Sequence, residues 1–172
     1  ERIITTSEKN AILSWIASGS LMGDTTIVNG CPPAPTYTKY HLNGTPDLIL
    51  QIPTFTSNGG ANNAYNCFAL PTGLTQDRII RAFEVIPGNP AIVHHVVIKV
   101  DSTGTVSSDL SGGCFSEPGD YDLDVWAPGG APTVFPSSPQ LKMGIKIKAG
   151  AKLVMQIHYP PGTAGQLDST QI

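Results

Sequence analysis

Six short runs rich in apolar and β-branched residues, separated by Gly, Pro, Asn and Asp, restrict this chain to a small set of folds. They lie at 47–52 (DLILQI), 64–69 (AYNCFA), 78–86 (RIIRAFEVI), 91–100 (AIVHHVVIKV), 141–148 (LKMGIKIK) and 152–159 (KLVMQIHY). Runs of this length and composition read as strands. Gly and Pro number 18 and 15 among 172 residues, so turns are frequent enough to fold strand back on strand. The length suits one domain, or one domain with a short appendage. The pattern predicts an all-β chain: an antiparallel, jelly-roll-like β-sandwich over 46–172, with one short N-terminal helix.

The clearest alternation is in 141–148. Leu141, Met143, Ile145 and Ile147 alternate with Lys142, Gly144, Lys146 and Lys148, which predicts one buried and one wet face. Ala149-Gly150 then supplies a tight turn, so 141–148 and 152–159 are expected to form a hairpin, with Met143 and Met155 in the core. The stretch from 101 to 140 carries Gly112-Gly113, Pro118-Gly119 and Pro128-Gly129-Gly130 and reads as a long loop-rich region.

A helix is expected over 5–19. Thr5 and Glu8 have the spacing of a capping box, Ile12, Trp15 and Ile16 share a face, and Gly19 fits the C-terminal stop. Residues 1–22 thus read as a helical appendage. Residues 23–45, rich in Pro, Gly, Asn and Thr, read as a linker that contains His41 and the sequon Asn43-Gly44-Thr45.

Charged residues are 13% of the chain and the net charge is −3, with no cluster of Lys or Arg. Phosphate neutralisation needs grouped cations, so nucleic-acid binding is not expected. No apolar run approaches the roughly 18 residues of a membrane span. No signal peptide opens the sequence, so a mature chain or an excised piece is expected. Low charge with many turns suits a secreted or periplasmic β-protein. Cys31, Cys67 and Cys114 allow one disulfide and leave one thiol over. No CxxC, GxSxG, HExxH, Walker or Rossmann pattern occurs. Asp120, Asp122 and Asp124 imitate a calcium loop but lack its Gly and terminal Glu, and read as a solvated loop.

His94 and His95 pose the central question. Neighbouring strand residues point to opposite faces, so one imidazole should meet the interior, where it needs a partner. Either each ring has its own hydrogen bond, or both share one ion. His158 sits in another strand on the face of Gln156, opposite Met155 and Ile157. Three imidazoles suit copper, zinc, iron or nickel. Three with an open position is a catalytic or redox pattern rather than a structural one. Adjacent ligands on one strand require a bulge or strong twist, or one ring bonding through Nδ1 and the other through Nε2. His41, in a turn-rich segment, reads as an ordinary polar residue.

Residues 65–71 (YNCFALP), 87–98 (PGNPAIVHHVVI), 126–132 (WAPGGAP) and 153–162 (LVMQIHYPPG) resemble, in this order, the copper type II, ascorbate-dependent monooxygenases. That family includes peptidylglycine α-hydroxylating monooxygenase and dopamine β-hydroxylase, and the resemblance covers roughly 46–162. It implies the first of two copper domains, with one copper on His94, His95 and His158 that stores and delivers an electron. It also implies a disulfide between Cys67 and Cys114, and for Cys31 a partner after the HY motif, where no cysteine follows. Gln156 becomes a candidate support for the ligands and Tyr65 a candidate lining the electron path. Ascorbate or a haem protein is the implied reductant. The HxH of the hydroxylating second domain is absent, so these residues are not expected to hydroxylate a substrate alone. Residues 8–24 (EKNAILSWIASGSLMGD) resemble the last helix of a c-type cytochrome, which implies a segment of a longer bacterial protein with a cytochrome-like donor. The rival readings are a three-histidine zinc site and a non-catalytic binding or adhesion sandwich. The second of these usually displays aromatics, which are only 7% here.

Overall fold

The computed structural model describes residues 4–23, 42–116 and 118–172. His41 and Cys31, with most of the expected linker, lie outside the described residues. The chain divides into two compact units, Glu1–Thr36 and Tyr37–Ile172.

In the first unit, α1 spans Thr6–Ala17. Its start is local chemistry. Thr5 Oγ1 accepts the Glu8 N–H at 3.2 Å, and the Glu8 carboxylate accepts the Thr5 N–H at 2.8 Å, which satisfies two donors that a helix N-terminus leaves open. Gly19, at φ +92°, makes the left-handed exit. Ile12, Trp15 and Ile16 are each about half exposed, and no residue of α1 is buried.

The second unit is the predicted antiparallel β-sandwich. Its strands are β1 (Phe55–Thr56), β2 (Ala64–Pro71), β3 (Arg78–Ile80), β4 (Ala82–Phe83), β5 (His95–Asp101), β6 (Tyr121–Trp126), β7 (Thr133–Val134), β8 (Ile145–Ile147), β9 (Lys152–Tyr159) and β10 (Leu167–Asp168). One layer is a four-stranded sheet in the order β2-β9-β5-β6. The short ladders β1-β10, β3-β8 and β4-β7 contribute the other side. Between them lies one core, to which the large sheet gives Phe68, Leu70, Val96, Ile98, Val100, Leu123, Trp126, Leu153, Met155, Ile157 and Tyr159. Ile52, Phe83, Val85 and Ile147 meet them from the other side.

β9 is the organising strand. Pairing with β2 on one edge and β5 on the other, it is covered on both faces and buried from Leu153 to Tyr159. Its odd-numbered residues enter the core, while Val154, Gln156 and His158 face away from it, as the alternation predicts. A slip of one residue would exchange the faces and move Met155 and Ile157, each worth about 1.5–3 kcal/mol when buried, out of the core.

The expected hairpin of 141–148 with 152–159 does not form. β8 pairs instead with β3, with Ile145 opposite Ile80 and Ile147 opposite Arg78, so the turn at Ala149-Gly150 is a corner between layers. Both edges of β9 are already taken by longer partners. Regular alternation survives only in Ile145–Ile147; Leu141 and Met143, expected inside, are 55% and 45% exposed. Ser138 turns the chain there, its Oγ accepting the Leu141 N–H at 3.0 Å. Gly144 is a close approach, since a Cβ would collide with the Ile80 carbonyl oxygen.

Three other readings change. Residues 47–52 form no regular strand, but Leu50 and Ile52 donate to Ile172 and Thr170 at 2.9 and 3.0 Å. Residues 78–86 break at Arg81 into β3 and β4. The Asp120–Asp124 run is not a loop: it enters β6, an edge strand on which Asp122 pairs with Lys99 at 3.3 Å and Asp124 accepts from Thr133 Oγ1 at 2.9 Å. Polar alternation on a sheet edge reads in sequence like a solvated turn. No helix among the described residues is long and apolar enough to cross a membrane.

Candidate metal centre

The register of the large sheet assembles the site. Tyr65 on β2 and His95 on β5 both stand opposite His158 on β9, so the three side chains form a row across the sheet face that points away from the core. Cβ atoms of directly opposed residues lie about 4.5–5.5 Å apart, close enough for two imidazoles to share an ion.

His94 joins this row without belonging to a strand. Asn89 caps a turn, its carbonyl accepting the N–H groups of Ile92 and Val93 at 3.1 and 3.2 Å, and β5 begins only at His95. The His94 N–H donates to the His158 carbonyl at 3.0 Å. The face rule for neighbouring strand residues therefore does not bind this pair. The register shift between β5 and β6 lies elsewhere, where Leu123 is the extra residue of β6 opposite Ile98 and Lys99. Nor do the rings use different nitrogens. All three present Nδ1 to a common point.

The Nδ1 atoms of His94 and His95 are 3.1 Å apart, and that of His158 lies 3.2 and 3.3 Å from them. Each neutral imidazole has one lone-pair nitrogen and one N–H. Three nitrogens in a triangle cannot all be satisfied by each other's single protons, and three converging lone pairs repel unless a cation sits among them. Tetrahedral ligands at bonds of about 2.0 Å are separated by about 3.3 Å, which the observed triangle matches. Among the described residues this is the one group of three ionisable side chains placed to hold a metal ion.

The surroundings favour the neutral form of His158 and His95. Burial, then the neighbouring His95 and His94, pushes the pKa of His158 down from 6.5 to about 4. Burial and His94 push His95 down as well. A native state that binds fewer protons than the unfolded chain loses stability wherever the difference exists. The metal-free domain should therefore be most stable above pH 6.5 and weaken as pH falls from 6.5 towards 4, by on the order of 3 kcal/mol for His158. Urea unfolding across that range measures this; a flat profile between pH 7 and 4.5 would contradict it.

His158 is the most buried of the three, His95 is half-buried and His94 is exposed, so the centre opens to solvent on the His94 side. Tyr65 stacks on the His158 ring, centroids 4.4 Å apart and planes within 5°. Phe115 leans on Tyr65 at 5.0 Å. Cys114, next to Phe115, is bonded to Cys67, as the resemblance implied. This disulfide packs on Val154 and fastens 109–115 along the free edge of β2, where Tyr65 and Cys67 exchange backbone hydrogen bonds with Asp109, Gly112 and Cys114. Gln156 directs its amide nitrogen to the Cys114 carbonyl at 2.7 Å, supporting the same segment. Asn63 was not foreseen: its Oδ1 lies 2.8 Å from His158 Nε2. Nothing in NNAYNC distinguishes it from its Asn neighbours; only the approach of β9 does. The three carboxylates of 120–124 stay in separate bonds with Ser102, Lys99 and Thr133 and build no second cluster.

No protein-family model matches the chain, and no curated protein matches it.

Proposed function

We propose that this chain is a mononuclear type II copper domain that holds and passes single electrons, the electron-transferring half of a copper- and ascorbate-dependent monooxygenase. The observation that carries the reading is the convergence of three Nδ1 atoms at 3.1–3.3 Å on an open-sided site. Copper bound there supplies a one-electron Cu(I)/Cu(II) couple.

The protein's part is to set that couple. Three neutral imidazoles leave the charge of the ion uncompensated, which favours the reduced state more than hard carboxylate ligands would. With no thiolate in the set, blue-copper colour is not expected. The buried β9 anchors one ligand rigidly while the exposed His94 leaves a side open to solvent. The order of motifs through 65–71, 87–98, 126–132 and 153–162 supports the family assignment. In that assignment a second copper domain receives the electron and hydroxylates substrate, ascorbate or a haem protein supplies it, and the disulfide suits a periplasmic or secreted setting.

The same triangle suits Zn(II), the second reading, because tetrahedral zinc has the same ligand separations. A non-metal adhesion sandwich would have no need to point three Nδ1 atoms at one another. Titration of the purified chain with Cu(II), followed by EPR, separates these. One saturating type II signal per chain, bleached by ascorbate, is expected. Absence of a saturable signal, with stoichiometric Zn(II) binding instead, would replace copper by zinc.

A further inference from the structure

We propose that Asn63 is a positioning residue for the metal centre, holding the His158 proton on Nε2 so that Nδ1 keeps its lone pair for the ion. This rests on the metal reading of the three-histidine site. An imidazole can ligate through Nδ1 only when its proton is on the other nitrogen. Asn63 Oδ1, 2.8 Å from Nε2, is an acceptor and selects that tautomer.

The other rings differ. His94 is exposed and His95 is half-buried, so water can satisfy their outer nitrogens, and no side chain among the described residues does so. His158 is 7% exposed, and a buried N–H needs a protein partner. Tyr65 completes the clamp. Its ring, parallel to the imidazole at 4.4 Å, opposes the rotation that would exchange Nδ1 for a ring carbon. Asn63 immediately precedes β2, whose first residue, Ala64, pairs with Tyr159, the neighbour of His158. One strand pairing thus places both the proton acceptor and the stacking ring.

Asn63 is exposed, so changes there should leave folding intact. Asn63→Leu keeps the shape and removes the acceptor; Asn63→Asp keeps both shape and acceptor. Imidazole nitrogen NMR of the metal-free protein should show His158 protonated at Nε2 in the wild type and in Asn63→Asp, and a tautomer mixture in Asn63→Leu. Cu(II) affinity, from chelator competition, should fall about 10–100-fold in Asn63→Leu, the loss typical when a ligand's outer partner is removed. It should be retained in Asn63→Asp. A wild-type His158 protonated at Nδ1, or an Asn63→Leu variant with unchanged tautomer and affinity within threefold, would overturn the assignment. If the chain bound no metal at all, the metal reading would fail, and the metal-free spectra would still decide the role of Asn63.

Discussion

Replacing His158 by Ala is expected to weaken Cu(II) binding by more than about a hundredfold, since loss of merely an outer partner of a ligand costs 10–100-fold. His158 is the side chain on which the other parts of the cluster converge. It lies between the two strands that carry Tyr65 and His95, its carbonyl accepts the His94 N–H, and its ring alone meets both a side-chain acceptor and a parallel aromatic. The same substitution removes a group whose pKa lies near 4 in the fold. The variant should therefore lose much of the decline in metal-free stability between pH 6.5 and 4. Chelator competition and urea unfolding read the two effects separately. An affinity within threefold of wild type would show that the three rings do not act as one ligand set. His94→Ala, at the exposed side, should cost less than His158→Ala.

The second large effect concerns the disulfide. Cys67 and Cys114 are 47 residues apart, and releasing a loop of that length is expected to cost about 4 kcal/mol through the unfolded chain's regained freedom. The double variant Cys67→Ser/Cys114→Ser should show this in urea unfolding. The loss should also reach the site, because the disulfide tethers Phe115, Phe115 supports Tyr65, and Tyr65 stacks on His158. A measurable but smaller fall in Cu(II) affinity than in His158→Ala is expected. A stability change below about 1 kcal/mol would mean that the unfolded chain regains little freedom when the link is removed.

Much of the site could be read from particular residues in the sequence. The alternation in 153–159 places His158 opposite the core face, and the structure agrees. The unusual pair in AIVHHVVIKV marks the other two imidazoles of the cluster. The capping box at Thr5 and Glu8 is similarly legible, because its two bonds span three residues and need nothing distant. Periodicity reports which way a side chain faces. It does not report which strand lies alongside.

Facing follows from a segment's own residues, whereas strand partnership depends on the rest of the fold. Composition and period determined an all-β sandwich with one capped helix, and the residue types at 94, 95 and 158 determined a nitrogen donor set. Strand partners were decided by competition across the whole fold: β9, buried on both faces, took the central position between β2 and β5 and left β8 to β3. The same competition made the Asp run an edge strand, started β5 one residue after His94, and brought Asn63 to the far nitrogen of His158. Sheet pairing is non-local, and its free energy belongs to the pair and the shared core rather than to either segment alone. The donors were therefore legible before folding, while the convergence of their Nδ1 atoms was decided only when β5 and β9 were laid in register.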